Sequence, residues 1–168
     1  MEVINALYHG TPNAADQLIP KFNTRTRNGI TIWAGKGVFA TRDRRIAMLY
    51  TFRRNQHVSQ GVNLIDEVSP VDPVVLYVRG QSSQEKALDA LFGTRESALA
   101  YIHWLNPATF SREKGLGVME SVSRVAPAYQ RSEMVPTGIE RVNPRLEIER
   151  YVSDGLMRIQ WSACSNSS

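Results

Sequence analysis

Leu7-Tyr8-His9-Gly10-Thr11-Pro12-Asn13 is the stretch of this 168-residue chain that says most about its fold. Its pattern predicts a short apolar strand that ends in a histidine, a glycine and a hydroxyl group. Because glycine has no side chain, a ligand can approach the backbone at Gly10, and the imidazole of His9 offers a donor and an acceptor. The stretch therefore predicts a strand end that holds a polar ligand against the backbone.

The composition is that of one folded domain. Hydrophobic residues make up 42% and charged residues 21% of the chain, and a domain of this length buries ~70% of its unfolded surface. Lys and Arg number 20 against 16 Asp and Glu, a net charge of +4, which favours anionic partners such as a pyrophosphate or a nucleic acid. We expect one domain over residues 1–161 and a flexible Ser-rich tail over 162–168.

Several classes of site and location are disfavoured. The single cysteine, Cys164, permits no intrachain disulfide, which favours a reducing cytoplasmic setting. No run of ~18 apolar residues and no basic-then-apolar leader occurs, so we expect neither a membrane span nor a secretion signal. His9, His57 and His103 lack metal-ligand spacing, and neither a phosphate-binding P-loop nor a G-x-S-x-G elbow is present. We therefore expect no metal cofactor.

Hydrophobic periodicity predicts an α+β chain with mainly antiparallel strands, because strands dominate both ends and helices fill the middle. Polar residues 23–28 predict a loop. Strands are predicted over 3–9, 30–33, 37–40, 74–78 and 118–125, with further strands between 133 and 161. Helices are predicted after Thr41 or Asp43, after Ser82 or Ser83, and from Thr94 to Pro107, the last with Leu99, Ile102 and Leu105 on one face.

The segment Gly35–Tyr50 is predicted to be a strand that leads into a helix. Phe39 on the strand and Tyr50 on the helix are placed to hold a flat heteroaromatic ring from both faces. Ala47 lies one turn before Tyr50 and is small enough to leave room for that ring. The alternative is that both aromatic residues belong to the core.

Three motifs together resemble the ADP-ribosyltransferase family, in its diphtheria-toxin and poly(ADP-ribose) polymerase branch. Tyr8-His9-Gly10-Thr11 is similar to the first motif of that branch. The run Gly35–Ala40 resembles its G-K-G-I-Y-F-A strand, with Tyr50 at the matching distance. Residues 132–143 fit the spacing of the third motif, in which a glutamate begins a late strand. The motifs occur in the family's order.

The resemblance implies two mainly antiparallel sheets that form a cleft for NAD, with flanking helices. His9 would hold a ribose hydroxyl of NAD, while Gly10 and Thr11 would bind the nicotinamide amide. Phe39, at the position of the family's tyrosine, would stack on nicotinamide, with Tyr50 on the opposite face. The missing hydroxyl of Phe39 removes any hydrogen bond that the tyrosine would make.

Glu133 is the catalytic carboxylate that the resemblance implies, together with His9 and Tyr50 as catalytic residues. A fixed carboxylate stabilises the positive charge that builds on the anomeric carbon as nicotinamide leaves. Glu120, within the predicted strand 118–125, is the alternative, and either glutamate can instead be a solvated strand residue. Arg131 stands where arginine-modifying relatives carry a second glutamate, which disfavours an arginine acceptor.

Outside these motifs, Arg25 and Arg27 are candidates to clamp the NAD pyrophosphate, because guanidinium groups pair bidentately with phosphate oxygens. A solvated loop explains the same two residues. His57 and His103 are predicted to be surface or interface residues, the latter on a helix.

The sequence thus predicts a mono-ADP-ribosyltransferase that uses NAD as co-substrate and a protein or nucleic acid as acceptor. With water as acceptor it would be an NAD glycohydrolase. Two alternatives stay open: an RNA 2′-phosphotransferase of the same fold, which Glu133 disfavours because that branch needs no glutamate there, and a non-catalytic module that binds a nucleotide or ADP-ribose.

Overall fold

The computed structural model describes residues 6–19, 21–27, 30–52, 58–59, 62–63, 65–69, 73–110, 121–124 and 135–162. The helices are α1 (Arg44–Leu49), α2 (Gln84–Phe92) and α3 (Pro144–Ser153), with a 3₁₀ turn at Pro107–Thr109. The strands are β1 (Leu7–Thr11), β2 (Lys21–Arg27), β3 (Ile30–Ala40), β4 (Val58–Ser59), β5 (Val62–Asn63), β6 (Ile65–Ser69), β7 (Val74–Arg79), β8 (Ala100–Leu105), β9 (Ser121–Arg124), β10 (Gly138–Val142) and β11 (Met157–Ser162).

The described strands form three small sheets and a hairpin. Two sheets, in the orders β1-β8-β10 and β2-β3-β9, are entirely antiparallel. In the third, β11-β7-β6, strand β11 runs parallel to β7 while β6 is antiparallel to it. Strands β4 and β5 pair with each other. The prediction of an α+β chain with mainly antiparallel pairing is confirmed.

Side-chain caps explain where the helices begin. Asp43 accepts a hydrogen bond from the backbone N–H of Arg45 and begins α1. Ser83 accepts one from the backbone N–H of Lys86 and begins α2. The structure thus selects one of the two predicted caps in each case. Helix α3 was not predicted, although Asn143 caps it and Pro144 occupies its first turn. Its buried face includes the charged Arg145, which hid the apolar periodicity.

The predicted helix from Thr94 to Pro107 is wrong, because residues 100–105 form strand β8. This strand is the centre of its sheet, and its two faces contact different apolar clusters. Ile102 belongs to the larger cluster, which includes residues of all three helices, and Leu105 to a smaller one with Leu7 and Val38. A strand buried on both faces lacks polar alternation and is easily read as a helix.

The predicted loop over residues 23–28 is also wrong, because residues 21–27 form β2. This strand pairs with β3, which is one continuous strand rather than two. Backbone hydrogen bonds satisfy such a strand whatever the polarity of its side chains, and β-branched Thr24 and Thr26 favour it. The predicted strands over 3–9 and 118–125 are found in part, as β1 and β9, while residues 3–5, 118–120 and 125 lie outside the described residues.

Helix α1 packs directly against β1, and Gly10 makes this possible. A Cβ atom at Gly10 would lie 1.8 Å from the carbonyl oxygen of Ala47, which is closer than any real contact. The close approach buries Ala47, and its neighbours in α1, in the larger apolar cluster. Gly10 is therefore required by packing, independently of any ligand.

Arg44 fixes the helix on its other side. Its guanidinium group donates two hydrogen bonds to Glu140 on β10, at 2.9 and 2.5 Å, and two to Glu147 on α3, at 3.0 and 3.1 Å. Trp104 also donates to Glu140, and Tyr151 donates to Glu147. This network ties α1 to a strand and to a helix that lie far away in sequence.

Replacing Gly10 with alanine tests the close approach. We expect the substitution to lower the free energy of unfolding by about 2 kcal/mol or more, because the methyl group overlaps the carbonyl of Ala47. Gly138→Ala is the matched control, since a Cβ there meets only Trp104 Cβ at an ordinary 3.9 Å. Urea unfolding followed by tryptophan fluorescence measures both. Equal stabilities of the two variants would contradict the packing.

Candidate functional site

His9 lies in the middle of β1 and is tied to the end of β3. Its Nδ1 atom lies 2.6 Å from the carbonyl oxygen of Phe39. A carbonyl oxygen only accepts, so Nδ1 carries the hydrogen and donates it. In the neutral ring the other nitrogen, Nε2, is then an acceptor. The bond thus fixes both the orientation and the tautomer of His9.

The surroundings of His9 favour the uncharged ring. Burial is the main cause that lowers the pKa of His9, and the neighbouring imidazole of His103 lowers it further. The bond to the Phe39 carbonyl acts in the opposite direction and is the smaller of the two leading effects. His9 is therefore a neutral hydrogen-bond acceptor near physiological pH.

The backbone of Gly10 points away from the centre of the sheet. Tyr8 exchanges both of its backbone hydrogen bonds with Thr41, at 2.8 and 3.0 Å, on the side of β1 opposite β8. Because successive residues of an antiparallel strand alternate in direction, the N–H and C=O groups of Gly10 point to the same side as those of Tyr8. This agrees with a backbone role for Gly10 toward a ligand.

Thr11 ends the strand and shapes the turn that follows it. Its hydroxyl oxygen accepts a hydrogen bond of 3.3 Å from the backbone N–H of Asn13. Such a side-chain-to-backbone bond replaces a strand bond and turns the chain. Thr11 is half-buried, so its hydroxyl lies at the border between the strand end and solvent.

The two predicted stacking residues differ in exposure. Phe39 is only 7% exposed, and its strand neighbours Val38 and Ala40 pack in the smaller apolar cluster. Tyr50 is the C-terminal cap of α1 rather than a residue within the helix. It is half-buried, packs against the larger cluster, and has its ring centroid 6.3 Å from that of Phe52. The stacking of both rings on a ligand stays a prediction.

Ala47 connects the strand end to Tyr50. Its carbonyl oxygen lies against Gly10 and accepts a 3.2 Å hydrogen bond from the backbone N–H of Tyr50. The methyl group of Ala47 packs in the larger apolar cluster. Gly10, Ala47 and Tyr50 are thus held together by consecutive contacts, and His9 is joined to Phe39 beside them.

His103 occupies a position that differs from the one predicted from the sequence. It lies on β8 directly opposite His9, with the two ring centroids 6.2 Å apart, and not on a helix surface. Its side chain is fully buried, which lowers its pKa. Its Nε2 atom accepts a 3.1 Å hydrogen bond from the backbone N–H of Ala15. Assigning residues 100–105 to a strand would have indicated that His103 can lie beside His9.

Of the described carboxylates, Glu140 lies in the sheet that carries His9, and the two predicted catalytic carboxylates lie elsewhere in the sequence. Glu133 and its alternative Glu120 both lie outside the described residues, as do Arg131 and His57. Glu140 is described, but it shares the sheet face of Gly10 and Ile102 and is bound by Arg44, whereas His9 projects from the other face. The pKa of Glu140 is lowered, mainly by its hydrogen bond to Arg44.

Arg25 and Arg27, the residues predicted to clamp a pyrophosphate, lie on a strand rather than in a loop. Arg25 and Arg27 lie on β2, opposite Trp33 and Ile30 of β3, and the register shifts just after Arg25. The structure describes the backbone at these two positions and not their side chains. Their contact with a pyrophosphate stays a prediction.

In the described part of the chain, no group of three or more His, Cys, Asp or Glu side chains is arranged to hold a metal ion. None of the described helices has the length and apolarity needed to cross a membrane. No protein-family model, curated protein or solved structure matches the chain.

The protonation state of His9 gives a direct test. We expect its imidazole to stay neutral, with the hydrogen on Nδ1, at pH values where the urea-unfolded chain is protonated with a pKa of about 6.5. Long-range ¹H–¹⁵N NMR spectra report this tautomer. As the pH falls through the pKa of the unfolded chain, His9 binds more protons in the unfolded state than in the folded state. The free energy of unfolding therefore falls as pH falls. In His9→Gln the free energy of unfolding should fall less at low pH, because the titrating imidazole is gone. A folded His9 that titrates with the same pKa as in the unfolded chain would contradict this prediction.

Proposed function

We propose that the protein is a mono-ADP-ribosyltransferase that cleaves NAD at the nicotinamide glycosidic bond and transfers ADP-ribose to a protein or nucleic acid. The observation that supports this most is the fixed, neutral His9 beside the outward-directed backbone of Gly10. Such a pair offers an acceptor for a hydroxyl group together with a donor and an acceptor for an amide. NAD carries both groups on adjacent parts, the ribose and the nicotinamide.

Binding would proceed through complementary hydrogen bonds. Nε2 of His9 accepts from a hydroxyl of the nicotinamide ribose, because its Nδ1 is already committed to the Phe39 carbonyl. The N–H and C=O groups of Gly10 pair with the carbonyl and amino groups of the carboxamide. These three bonds fix the plane of the nicotinamide ring and the position of the ribose, as a positioning mechanism requires.

Stacking would add to this binding. Tyr50 is held near Gly10 through the Ala47 carbonyl and keeps part of its ring exposed. Phe39 lies near the end of β3, and its carbonyl oxygen anchors His9. Each aromatic contact with the nicotinamide ring contributes about 1 kcal/mol beyond the area it buries.

The chemical step is a substitution at the anomeric carbon. The bond from this carbon to the pyridinium nitrogen breaks, and its electron pair neutralises the departing nicotinamide. Positive charge develops on the ribose, where the carboxylate of Glu133 stabilises it. A nucleophilic atom of the acceptor then bonds to the anomeric carbon and loses its proton to solvent. With water in place of the acceptor, the products are nicotinamide and free ADP-ribose.

The described arginines bear on the RNA phosphotransferase alternative. Arg44 and Arg45 surround the start of α1 but are paired with Glu140, Glu147 and Asp43. Arg95 and Arg145 are likewise paired with carboxylates of α2 and α3. Carboxylates thus already engage these four guanidinium groups, whereas the RNA phosphotransferase alternative relies on basic residues around a phosphorylated RNA.

Release of nicotinamide is the decisive assay. Incubation with NAD, followed by chromatography, should show nicotinamide for the wild-type protein. We expect Glu133→Gln and His9→Ala each to lower the rate about 100-fold or more, since each removes a group that acts on the developing charge or fixes the ribose. Glu96→Gln, at an exposed position, is the matched control and should retain full activity.

Other outcomes identify the alternatives. If Glu120→Gln abolishes release and Glu133→Gln does not, the carboxylate is Glu120. Tight nucleotide binding with no nicotinamide release would indicate a non-catalytic module, and salt-sensitive RNA binding without NAD binding would indicate the phosphotransferase. Mass spectrometry for ADP-ribose on protein or nucleic acid separates transfer from hydrolysis.

A further inference from the structure

His103 is a fully buried histidine at the centre of the sheet β1-β8-β10, and the proposed reaction does not use it. Histidine carries two polar nitrogen atoms and is a costly choice for a position without contact to solvent. Its neighbours on the two adjoining strands are His9 and Ile139. The residue that the sheet places directly beside the candidate ligand-binding histidine is therefore a second histidine.

The pairing places the two histidine side chains next to each other on one face of the sheet. Because Tyr8 directs its backbone bonds to Thr41, the pair Tyr8–Trp104 is a non-hydrogen-bonded pair of the ladder. The next pair, His9–His103, is then a hydrogen-bonded pair, in which both side chains project from the same face. The ring centroids lie 6.2 Å apart with an angle of 65° between the planes.

His103 also holds the segment that follows β1. Its Nε2 atom accepts the backbone N–H of Ala15 at 3.1 Å, across 88 positions of sequence. The same segment is fixed at its start by the Thr11–Asn13 bond and at its end by Leu18, which packs in the smaller apolar cluster. The Ala15 bond is the polar attachment between these two ends. Residues 12–18 thus lie over the sheet next to His9 and Gly10.

We propose that His103 is a positioning residue for the dinucleotide site. It holds residues 12–18 against the sheet, so that these residues and the neighbouring Gly10 and Thr11 keep the geometry that binds NAD. This inference rests on the proposed function. His103 touches neither NAD nor the reacting atoms; it acts through Ala15 and through its packing beside His9. Loss of the Ala15 bond leaves only part of the molecules in the binding-competent conformation, which weakens the apparent affinity in proportion.

Two amide substitutions separate this role from general stability. The side-chain oxygen of glutamine reaches the position of Nε2, whereas that of asparagine reaches only the position of Nδ1. His103→Gln therefore keeps an acceptor for the Ala15 N–H, and His103→Asn removes it. Both variants are uncharged and polar, and both leave a smaller side chain in the same buried space.

The measurement is steady-state nicotinamide release over a range of NAD concentrations, with unfolding curves for each variant. We expect His103→Asn to raise KM for NAD about tenfold, the size of one net hydrogen bond, and to change kcat less than about threefold. The KM of His103→Gln should stay within about twofold of the wild-type value, because this variant keeps the hydrogen bond to Ala15. The amide hydrogen of Ala15 should exchange faster in His103→Asn than in His103→Gln.

Contrary outcomes are distinct. If His103→Asn is merely less stable, with KM unchanged for its folded fraction, the residue is structural and the inference is wrong. Equal KM increases in both amide variants also overturn it, because the Ala15 bond would not be the cause. If the wild-type protein releases no nicotinamide but binds NAD, the proposed function is wrong, and the same differences between the two variants are expected in Kd for NAD. If it binds no NAD, both the proposed function and this inference are wrong.

Discussion

The rest of the structure depends on the contact between Gly10 of β1 and the carbonyl of Ala47 in α1. A side chain at Gly10 is sterically excluded, so the helix backbone lies directly on the strand that carries His9. The same carbonyl accepts the N–H of Tyr50, which ends the helix. One close approach therefore sets the distance between the strand end and the aromatic residue that follows the helix. Arg44 secures the helix from the other side through Glu140 and Glu147.

Charge is distributed differently on the two faces of the sheet β1-β8-β10. On the helix side, Arg44 and its carboxylates form a paired network, which lowers the pKa of Glu140; burial and Glu147 raise the pKa of Tyr151 to about 12. On the other face, burial lowers the pKa of His9 and that of His103. Glu140, the carboxylate on β10 of this sheet, is thus already engaged by Arg44, and the proposed reaction needs a carboxylate from elsewhere in the chain. Glu133 is the residue that we propose for that role, with Glu120 as the alternative.

Signals between residues adjacent in sequence predict part of the fold and of the candidate site. The remaining part depends on long-range contacts that no local pattern indicates. The caps of α1 and α2 and the buried strand β7 follow from residues adjacent in sequence. Strand β8 was not predicted because both of its faces are buried, so the spacing of its apolar residues resembles that of a helix. The position of His103 was therefore not predicted either. Helix α3 was missed because Arg145, satisfied by Asp89 and Glu149, occupies a core-facing position. The tautomer of His9 depends on a carbonyl 30 positions away, which no local pattern reveals.

The central claim is that His9, Gly10, the two aromatic residues and Glu133 meet around one NAD molecule. A crystal structure of Glu133→Gln with NAD bound tests it most directly. The account predicts a ribose hydroxyl within hydrogen-bonding distance of His9 Nε2, the carboxamide on the backbone of Gly10, and residue 133 beside the anomeric carbon. NAD bound on another surface, or residue 133 farther from His9 than the length of the dinucleotide, would contradict it.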